Sequence, residues 1–210
     1  MPESSTDKRL KVLEAAQTAF SRYGFKRTSM DDIAKLAGMS RPALYLLFRN
    51  KQDVFRSLSE HLQVAALEAA EAALAADKPF VERLHDAVLV KEEMLFRVVS
   101  ESPHGEELFD ANTEIAGDVT ERTLTRFQRS LAGAIQHAAD ALEIDIDRVG
   151  MPPDRLAALL LAGIHGLKTP LPEGRELRQK LTDLVKLFVA ATTTSETNES
   201  RMTGRERVTI

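Results

Sequence analysis

The sequence predicts an all-α fold of about nine helices. Apolar residues recur every three or four positions along most of the chain, and no segment alternates between apolar and polar residues as a half-buried strand does. Serine, threonine and asparagine precede several of these periodic segments, and glycine or proline follows their ends. These observations favour helices joined by short turns.

The first helix is predicted from a cap at Thr6 to about Tyr23, where Gly24 stops it, after a loose arm at residues 1–5. Its apolar residues recur at helical spacing, so one face of the helix would cover the elements that follow. Lys26 and Arg27 would lie in the loop after this helix, where a basic pair is either solvated or in contact with a phosphate.

Residues 28–51 predict two short helices joined by a tight turn. Ser29 and Asp32 form a capping pattern at the start of the first of these helices. Gly38 ends it, because glycine adopts a left-handed turn conformation without a Cβ clash. The second helix begins at Ser40, with Pro42 in its first turn, where the missing N–H costs little.

Two short helices on either side of a glycine turn form a helix-turn-helix. An ordinary corner between two helices is the alternative, but the successive caps and the small residue Ala34 favour a unit that reads DNA, with the helix from Ser40 as the reading element. Residues 1–56 carry 11 lysines and arginines against 6 acidic residues, whereas residues 57–210 carry 17 against 26. The basic charge therefore coincides with the predicted reading unit.

Asn50 caps a long helix to about Ala76, which we interpret as a rigid connector. Further helices are predicted at residues 79–102, 104–117, 118–144, 154–169 and 171–192. Residues 195–210 are polar and charged, and we expect them to be disordered. The chain has no cysteine and no apolar run of the roughly 20 residues that cross a bilayer, so we expect a cytoplasmic protein without membrane contact.

A set of residues at fixed spacing resembles the N-terminal domain of the TetR family of bacterial transcriptional regulators. The matching residues are Thr28, Ile33-Ala34, Ala37-Gly38, Ser40, Leu44-Tyr45, Phe48, Lys51 and Phe55. The resemblance implies a DNA-binding domain at residues 1–50, an effector-binding and dimerisation domain at 51–194 and a tail at 195–210. It further implies a homodimeric repressor that leaves a palindromic double-stranded DNA operator when a small-molecule effector binds.

The resemblance also implies roles for particular residues. Thr28, Tyr45 and Lys51 match positions that reach phosphates. The residues expected to contact DNA are Lys26, Arg27, Thr28, Ser40, Arg41, Pro42, Ala43, Tyr45 and Lys51. Arg41 is suited to grip guanine O6 and N7, or else to clamp a phosphate, and Ala43 is suited to contact a thymine methyl group.

One position departs from the family pattern. Many members carry histidine or another polar residue just before the position of Phe48, whereas this chain has Leu47, preceded by Leu46. We expect Leu47 to pack inward, and the operator contact usually made at that position to be absent.

Two further sets of residues are candidates for the effector site and for the dimer interface. The effector site is predicted to be lined by Met94, Phe96, Phe109 and Phe127, which could equally be core residues. Glu93, Glu101 and His104 would be polar groups near it or surface residues. The family resemblance implies an interface formed by Leu159, Leu160, Gly163, Ile164, Leu181, Leu184 and Phe188, which could otherwise be buried within a monomer.

Two other interpretations compete with the regulator. Glu82-x-x-His85 and Glu101-x-x-His104 have the spacing found in di-iron helical bundles, but Pro103 interrupts the second pair and no further inward glutamates are evident. The other interpretation is an adaptor that keeps the fold without binding DNA. We expect no enzymatic activity, no metal and no cofactor.

Overall fold

The computed structural model describes residues 4–168 and 174–193, and every regular element within them is a helix. In that part of the chain the eight α-helices are α1 (Ser5–Arg27), α2 (Met30–Leu36), α3 (Arg41–Leu47), α4 (Lys51–Leu74), α5 (Phe80–Ser100), α6 (Gly105–Asp140), α7 (Pro153–Gly166) and α8 (Gly174–Thr192). A short 3-10 helix, Asp147–Val149, precedes α7. The all-α prediction is confirmed, and the tail predicted at residues 195–210 lies outside the described residues.

The helices predicted on either side of Gly117 form the single helix α6. Ala116 alone departs from helical geometry, with φ −132° and ψ 19°. The expected break is therefore a kink, because helical hydrogen bonding resumes after one distorted residue. This difference accounts for one helix fewer than the sequence predicts.

The ends of α1 also differ from the prediction. Its N-cap is Ser4 rather than Thr6: the Ser4 hydroxyl accepts from the Asp7 N–H at 3.1 Å, and the Asp7 carboxylate accepts from the Ser4 N–H at 3.1 Å. Gly24 has φ +78° and bends the helix, which then makes one further turn to Arg27. The glycine was correctly identified as a break, but the chain re-enters helix after it.

The described residues cluster into two compact units. The first comprises the chain up to Ala69 together with Val90–Thr125, and the second comprises Ala70–Leu89 and the described residues from Arg126 onward. Helices α4, α5 and α6 contribute residues to both. The boundary between residues 50 and 51 implied by the family resemblance stays a prediction.

An apolar core joins α1–α4 in the first unit to the start of α6. Phe20 is 2% exposed, and its ring centroid lies 5.3 Å from that of Phe55 and 5.7 Å from that of Phe25. Leu108 and Ala111 of α6 are buried in the same core. The N-terminal part of α6 is therefore packed on the helix-turn-helix through apolar contacts, which are the main stabilising contribution in such cores.

Polar contacts add a second link between α4 and α6 within the first unit. The Arg56 guanidinium donates to both carboxylate oxygens of Asp118, and to the carbonyl of Ile115 at 3.0 Å. The Gln63 amide donates to the Thr120 hydroxyl at 2.6 Å and accepts from the Thr123 hydroxyl at 2.7 Å. These hydrogen bonds lie on both sides of the Ala116 kink and fix the register of the two helices.

Apolar packing joins α7 to α8 in the second unit. Leu160, Ile164 and Leu181 are each at most 2% exposed. Gly163 permits a close approach, because a Cβ atom there would lie 3.0 Å from Cδ2 of Leu184. Pro152 occupies the N-cap position before α7 and makes no side-chain capping hydrogen bond.

Candidate nucleic-acid interface

The turn between α2 and α3 has the geometry that the sequence predicted. Gly38 adopts φ +64°, and its N–H donates to the carbonyl of Lys35 at 3.1 Å. The Met39 N–H then donates to the carbonyl of Ala34 at 3.0 Å, and Ala34 itself is buried. A side chain larger than that of Ala34 would separate the two helices, so the residue's size sets how closely they pack.

Side-chain caps define the starts of α2 and α3. The Ser29 hydroxyl accepts from the Asp32 N–H at 3.2 Å, while the Asp32 carboxylate accepts from the Ser29 N–H at 2.9 Å. The Ser40 hydroxyl accepts from the Ala43 N–H at 3.3 Å. The capping pattern predicted from the sequence is confirmed at both helices, and it fixes where α3 begins.

Helix α3 presents one face to the core and the other to solvent. Leu44 is fully buried, and Leu47 packs against the core of the first unit, as predicted. Arg41 and Tyr45 are exposed on one side of the helix, away from Leu47. Because residues four apart lie on one side of a helix, these two side chains are neighbours on the exposed face.

Arg41 is held by two neighbours rather than extending freely. Its Nη1 donates to Oδ2 of Asp31 at 3.2 Å, and its Cζ lies 5.6 Å from the ring centroid of Tyr45. The Tyr45 hydroxyl, and next the Asp31 carboxylate, raise the pKa of the Arg41 guanidinium above its ordinary value. These contacts orient the guanidinium at the start of α3, where its remaining donors stay available to an acceptor.

Two predicted DNA-contacting residues have their polar groups engaged within the chain. Thr28 is 2% exposed, and its hydroxyl donates to the carbonyl of Gly24 at 2.6 Å, with that of Ala19 at 3.2 Å. The Lys51 ammonium donates to the carbonyls of Phe25 and Lys26, at 2.6 and 3.1 Å. A phosphate contact by the Thr28 hydroxyl would require its hydrogen bond to be exchanged, whereas the Lys51 ammonium has a third N–H for an acceptor, and both contacts stay predictions.

Burial lowers the pKa of the Lys51 ammonium, and the nearby Glu107 carboxylate acts in the opposite direction without reversing the shift. The Phe25 ring lies 4.5 Å from the Lys51 nitrogen. Lys51 therefore ties the last turn of α1 to the first turn of α4, a role that no sequence pattern indicated.

The other predicted DNA contacts are accessible. Lys26, Arg27, Ser40 and Pro42 are exposed and Ala43 is half-buried. The Lys26 backbone N–H donates to Oε1 of Glu107 at 2.6 Å, which leaves its ammonium group at the surface. Exposed basic groups in the last turn of α1 are suited to phosphate contact.

Arg9 has a role that the sequence analysis missed. Its Nη1 donates to the carbonyl of Leu47 at 2.6 Å, and its Cζ lies 4.2 Å from the ring centroid of Phe48. Arg9 thus binds the last turn of α3 to α1. Its spacing in the sequence could have indicated this role, since Arg9 lies four residues before Leu13 and extends the buried face of α1.

The predicted effector residues differ in exposure. Phe127 is fully buried and Phe96 is 8% exposed, whereas Met94 and Phe109 are 37% and 49% exposed. None of them lines the described cavity of the second unit, which has a volume of about 460 Å³. That cavity is lined by Leu74, Ala75, Ala76, Asp77, Lys78, Arg83, Ala134, His137 and Glu143. The effector site stays a prediction.

The predicted interface residues are divided between core and surface. Leu160, Ile164 and Leu181 are buried within the second unit, and Leu184 packs beside Gly163. Leu159 is 52% exposed and Phe188 is half-buried. Leu187, which the sequence analysis did not select, is 71% exposed.

The residues proposed for a di-iron site have other neighbours. Nε2 of His85 lies 3.2 Å from the Thr182 hydroxyl, and Nδ1 of His104 lies 3.9 Å from the Glu107 carboxylate. Across residues 4–168 and 174–193, no three histidine or acidic side chains are grouped to hold a metal ion. Nor does any helix in those ranges have the length and apolar character needed to span a membrane.

Comparison with known protein families matches residues 12–58 to the family described as "Bacterial regulatory proteins, tetR family". The HTH-type transcriptional regulator YhgD of Bacillus subtilis (strain 168) is 30% identical over 132 residues, which cover 63% of this chain and 67% of YhgD. The HTH-type transcriptional regulator TtgR of Pseudomonas putida is 40% identical over 60 residues, but these span only 29% of either protein.

Solved structures extend the likeness of fold over most of the chain. SmeT, the repressor of the Stenotrophomonas maltophilia multidrug efflux pump SmeDEF, matches with a TM-score of 0.67 and 20% identity, covering 89% of this chain and 91% of SmeT. A transcriptional regulator from Cytophaga hutchinsonii ATCC 33406 matches with a TM-score of 0.71 and 20% identity, covering 87% of this chain and 97% of that regulator. SmeT has also been solved as a complex with triclosan.

Proposed function

Because this chain belongs to the TetR family of bacterial transcriptional regulators, we propose that it is a homodimeric repressor that binds a palindromic operator through α3. The exposed pair of Arg41 and Tyr45 carries this proposal. A guanidinium oriented at the start of α3 can donate two hydrogen bonds to O6 and N7 of guanine in the major groove. The exposed basic groups of Lys26 and Arg27 would bind the flanking phosphates.

Selection of bound sequences from random DNA would identify the operator and test this proposal. Arg41→Ala should then weaken operator binding by about 1–3 kcal/mol per half-site, a loss of roughly 5- to 150-fold for each, and relax the preference for one guanine in each half-site. Arg129→Ala is the matched control, since it removes an exposed arginine of the second unit. If the parent protein selects no sequence, the proposal is wrong, and if Arg41→Ala binds the operator as tightly as the parent, Arg41 does not read it.

Dimerisation through α7 and α8 is the second part of the proposal. A twofold dimer would hold two copies of α3 about one DNA turn apart, roughly 34–36 Å. Leu159 and Leu187 are the exposed apolar residues of these helices that support an interface there. Leu159→Glu and Leu187→Glu should yield a monomer by sedimentation, whereas Leu142→Glu, at a leucine that is 89% exposed, should leave the dimer intact. A parent protein that sediments as a monomer would contradict this part.

Release by a small-molecule effector is the third part. Within the first unit, α6 and the turn before it contact α1 directly: Glu107 of α6 accepts from the Lys26 N–H, and the hydroxyl of Ser102 in the turn donates to the carbonyl of Ser21 at 2.9 Å. An effector that favours a different arrangement of α6 would therefore change the position of the helix-turn-helix, with a coupling of about 1–3 kcal/mol. SmeT in complex with triclosan, a protein of similar fold, makes apolar aromatic compounds a reasonable first panel.

The effector hypothesis is tested by measuring operator binding with each compound of such a panel. Glu107→Ala removes the acceptor of the Lys26 N–H. A compound that releases the parent should still bind this variant but release it from DNA less effectively. Glu106→Ala, one residue away and exposed, is the control. If no compound in a broad metabolite panel changes operator affinity, regulation by a small molecule is not supported. We place this action in the cytoplasm, where the operator DNA lies.

A further inference from the structure

Leu46 is the most exposed apolar residue of the helix-turn-helix. Its side chain is 88% exposed, although it lies on α3 between the half-exposed Tyr45 and the core-packed Leu47. Scattered surface leucines need no special explanation. Leu46 differs from them because of its position on the helix that the proposed function assigns to base reading.

The orientation of α3 aligns Leu46 with Pro42. Helical residues advance by about 100° each, so residues four apart lie on one line along the helix. Leu44 is fully buried, and the direction opposite to it passes between Pro42 and Leu46, both of which are exposed. The most outward line of α3 is therefore apolar, and Arg41 and Tyr45 form a polar line beside it.

The polar groups near this line are oriented by other contacts. The Ser40 hydroxyl caps α3, and the Arg41 guanidinium is drawn towards Asp31 and the Tyr45 ring. Leu46 is one turn further along the helix and can offer only an apolar surface. In the major groove the base edges present donors and acceptors at every pair, and the one apolar group they present is the thymine C5-methyl.

We propose that Leu46, with Pro42 behind it, contacts the C5-methyl of a thymine in each operator half-site and so determines specificity at that base pair. This inference rests on the proposed function and deepens it by assigning a second kind of readout to α3. The guanine-reading end of the helix is at Arg41, and the thymine-reading end is one turn later. The apolar line of Pro42 and Leu46 adjoins the pair of Arg41 and Tyr45, to which the proposed function assigns DNA binding. The same DNA duplex is therefore the partner of both.

Replacing thymine by deoxyuridine tests the contact, because the two bases differ only by the C5-methyl group. Each thymine of the selected operator is replaced in turn, in both half-sites, and the affinity of the parent is compared with that of Leu46→Ala. Burying one methyl group corresponds to roughly a fourfold change in affinity. We expect the parent to lose about fourfold per half-site at one thymine position, whereas Leu46→Ala binds the two duplexes equally at that position.

Two control variants separate this contact from general effects. Leu46→Met keeps an apolar side chain of similar reach and should keep sensitivity to the missing methyl group. Leu142→Ala removes a leucine of equal exposure from the second unit and should keep it as well. Because Leu46 is almost fully exposed, thermal unfolding of the Leu46→Ala variant should match that of the parent.

The outcomes distinguish the two proposals. If the parent binds no preferred sequence, the proposed function and this inference are both overturned. If it binds a preferred operator but deoxyuridine has no effect at any position, or the effect persists unchanged in Leu46→Ala, only the inference is overturned. Leu46 would then contact the sugar-phosphate backbone or remain in solvent, and specificity would come from the other residues of α3.

Discussion

Each of α1–α3 is preceded by a capping serine whose hydroxyl accepts a backbone N–H, whereas α7 is preceded by Pro152, which makes no side-chain cap. The α7–α8 pair depends instead on buried leucine and isoleucine side chains, and on the approach of Leu184 to Gly163. Hydrogen bonds between close neighbours in sequence therefore fix where α1–α3 begin, while an apolar core packs these helices together. Apolar contacts between distant residues define α7–α8, and they leave Leu159 and Leu187 exposed.

The two regions should respond alike to the loss of a large core side chain. Phe20→Ala should lower the free energy of unfolding by about 3–5 kcal/mol, and Leu181→Ala by about 2–5 kcal/mol, because each leaves a cavity in a closed core. Urea unfolding measures both losses. Phe109→Ala, at a phenylalanine that is half exposed, should cost much less. A small loss at Leu181 would mean that α8 is not held by apolar packing.

Glycine substitutions should separate the regions. Gly24 has φ +78°, and a Cβ there would lie 2.4 Å from Oε2 of Glu107, so Gly24→Ala should cost about 1–3 kcal/mol. A Cβ at Gly163 would meet only the movable end of Leu184, at 3.0 Å. Alanine also favours helix by up to about 1 kcal/mol, so Gly163→Ala should change stability by no more than that in either direction. Equal losses in urea unfolding would contradict this contrast.

Removal of a cap should affect only the region that uses one. Ser29→Ala should cost about 0.5–2 kcal/mol, since the Asp32 N–H loses the hydroxyl that accepts its hydrogen bond and the Asp32 carboxylate loses the hydrogen bond from that hydroxyl. Asp154→Ala, in the first turn of α7, removes no capping hydrogen bond and should stay within about 0.5 kcal/mol. Hydrogen exchange should show faster opening of α2 amides in Ser29→Ala. Unchanged exchange would indicate that packing alone holds α2.

The smallest expected effect is a pH dependence of the free energy of unfolding that arises from the Asp32 carboxylate at the start of α2. The Ser29 hydroxyl, and next the Ser29 N–H, lower the pKa of Asp32 below its ordinary value. Because the folded pKa is the lower one, the contribution to stability is present above the ordinary aspartate pKa and is lost as the pH falls through the folded value. Urea unfolding between pH 7 and pH 3 should show a smaller loss for Asp32→Asn than for the parent. Identical pH profiles would be inconsistent with a contribution from this carboxylate.

The sequence was most informative where a structure depends on neighbours within about five residues. The capping pattern of Ser29 and Asp32 and the turn at Gly38 appear in the structure as predicted, because each is a hydrogen bond or backbone conformation set by adjacent residues. The inward packing of Leu47 was also predictable from its spacing to Leu44.

Long-range contacts could not be predicted in the same way. The hydrogen bond of Arg9 to Leu47, that of the Thr28 hydroxyl to the carbonyl of Ala19 and those of Lys51 to Phe25 and Lys26 join residues between nine and 38 positions apart. A basic or hydroxyl residue near a helix end looks the same in the sequence whether its side chain contacts DNA or another part of its own chain. Only the approach of α1 to α3 and α4 decides between these alternatives.

By itself the sequence determined the helical class, the position and caps of the reading helix and the basic charge around it, because these follow from residue type and local spacing. The tertiary structure decided that α6 continues through its kink, that Arg41 is oriented by Asp31 and that Leu46 points away from the core. The physical reason is that burial and hydrogen-bond partners depend on which distant helices meet, and the free energy of that packing is summed over the whole core rather than carried by any short segment.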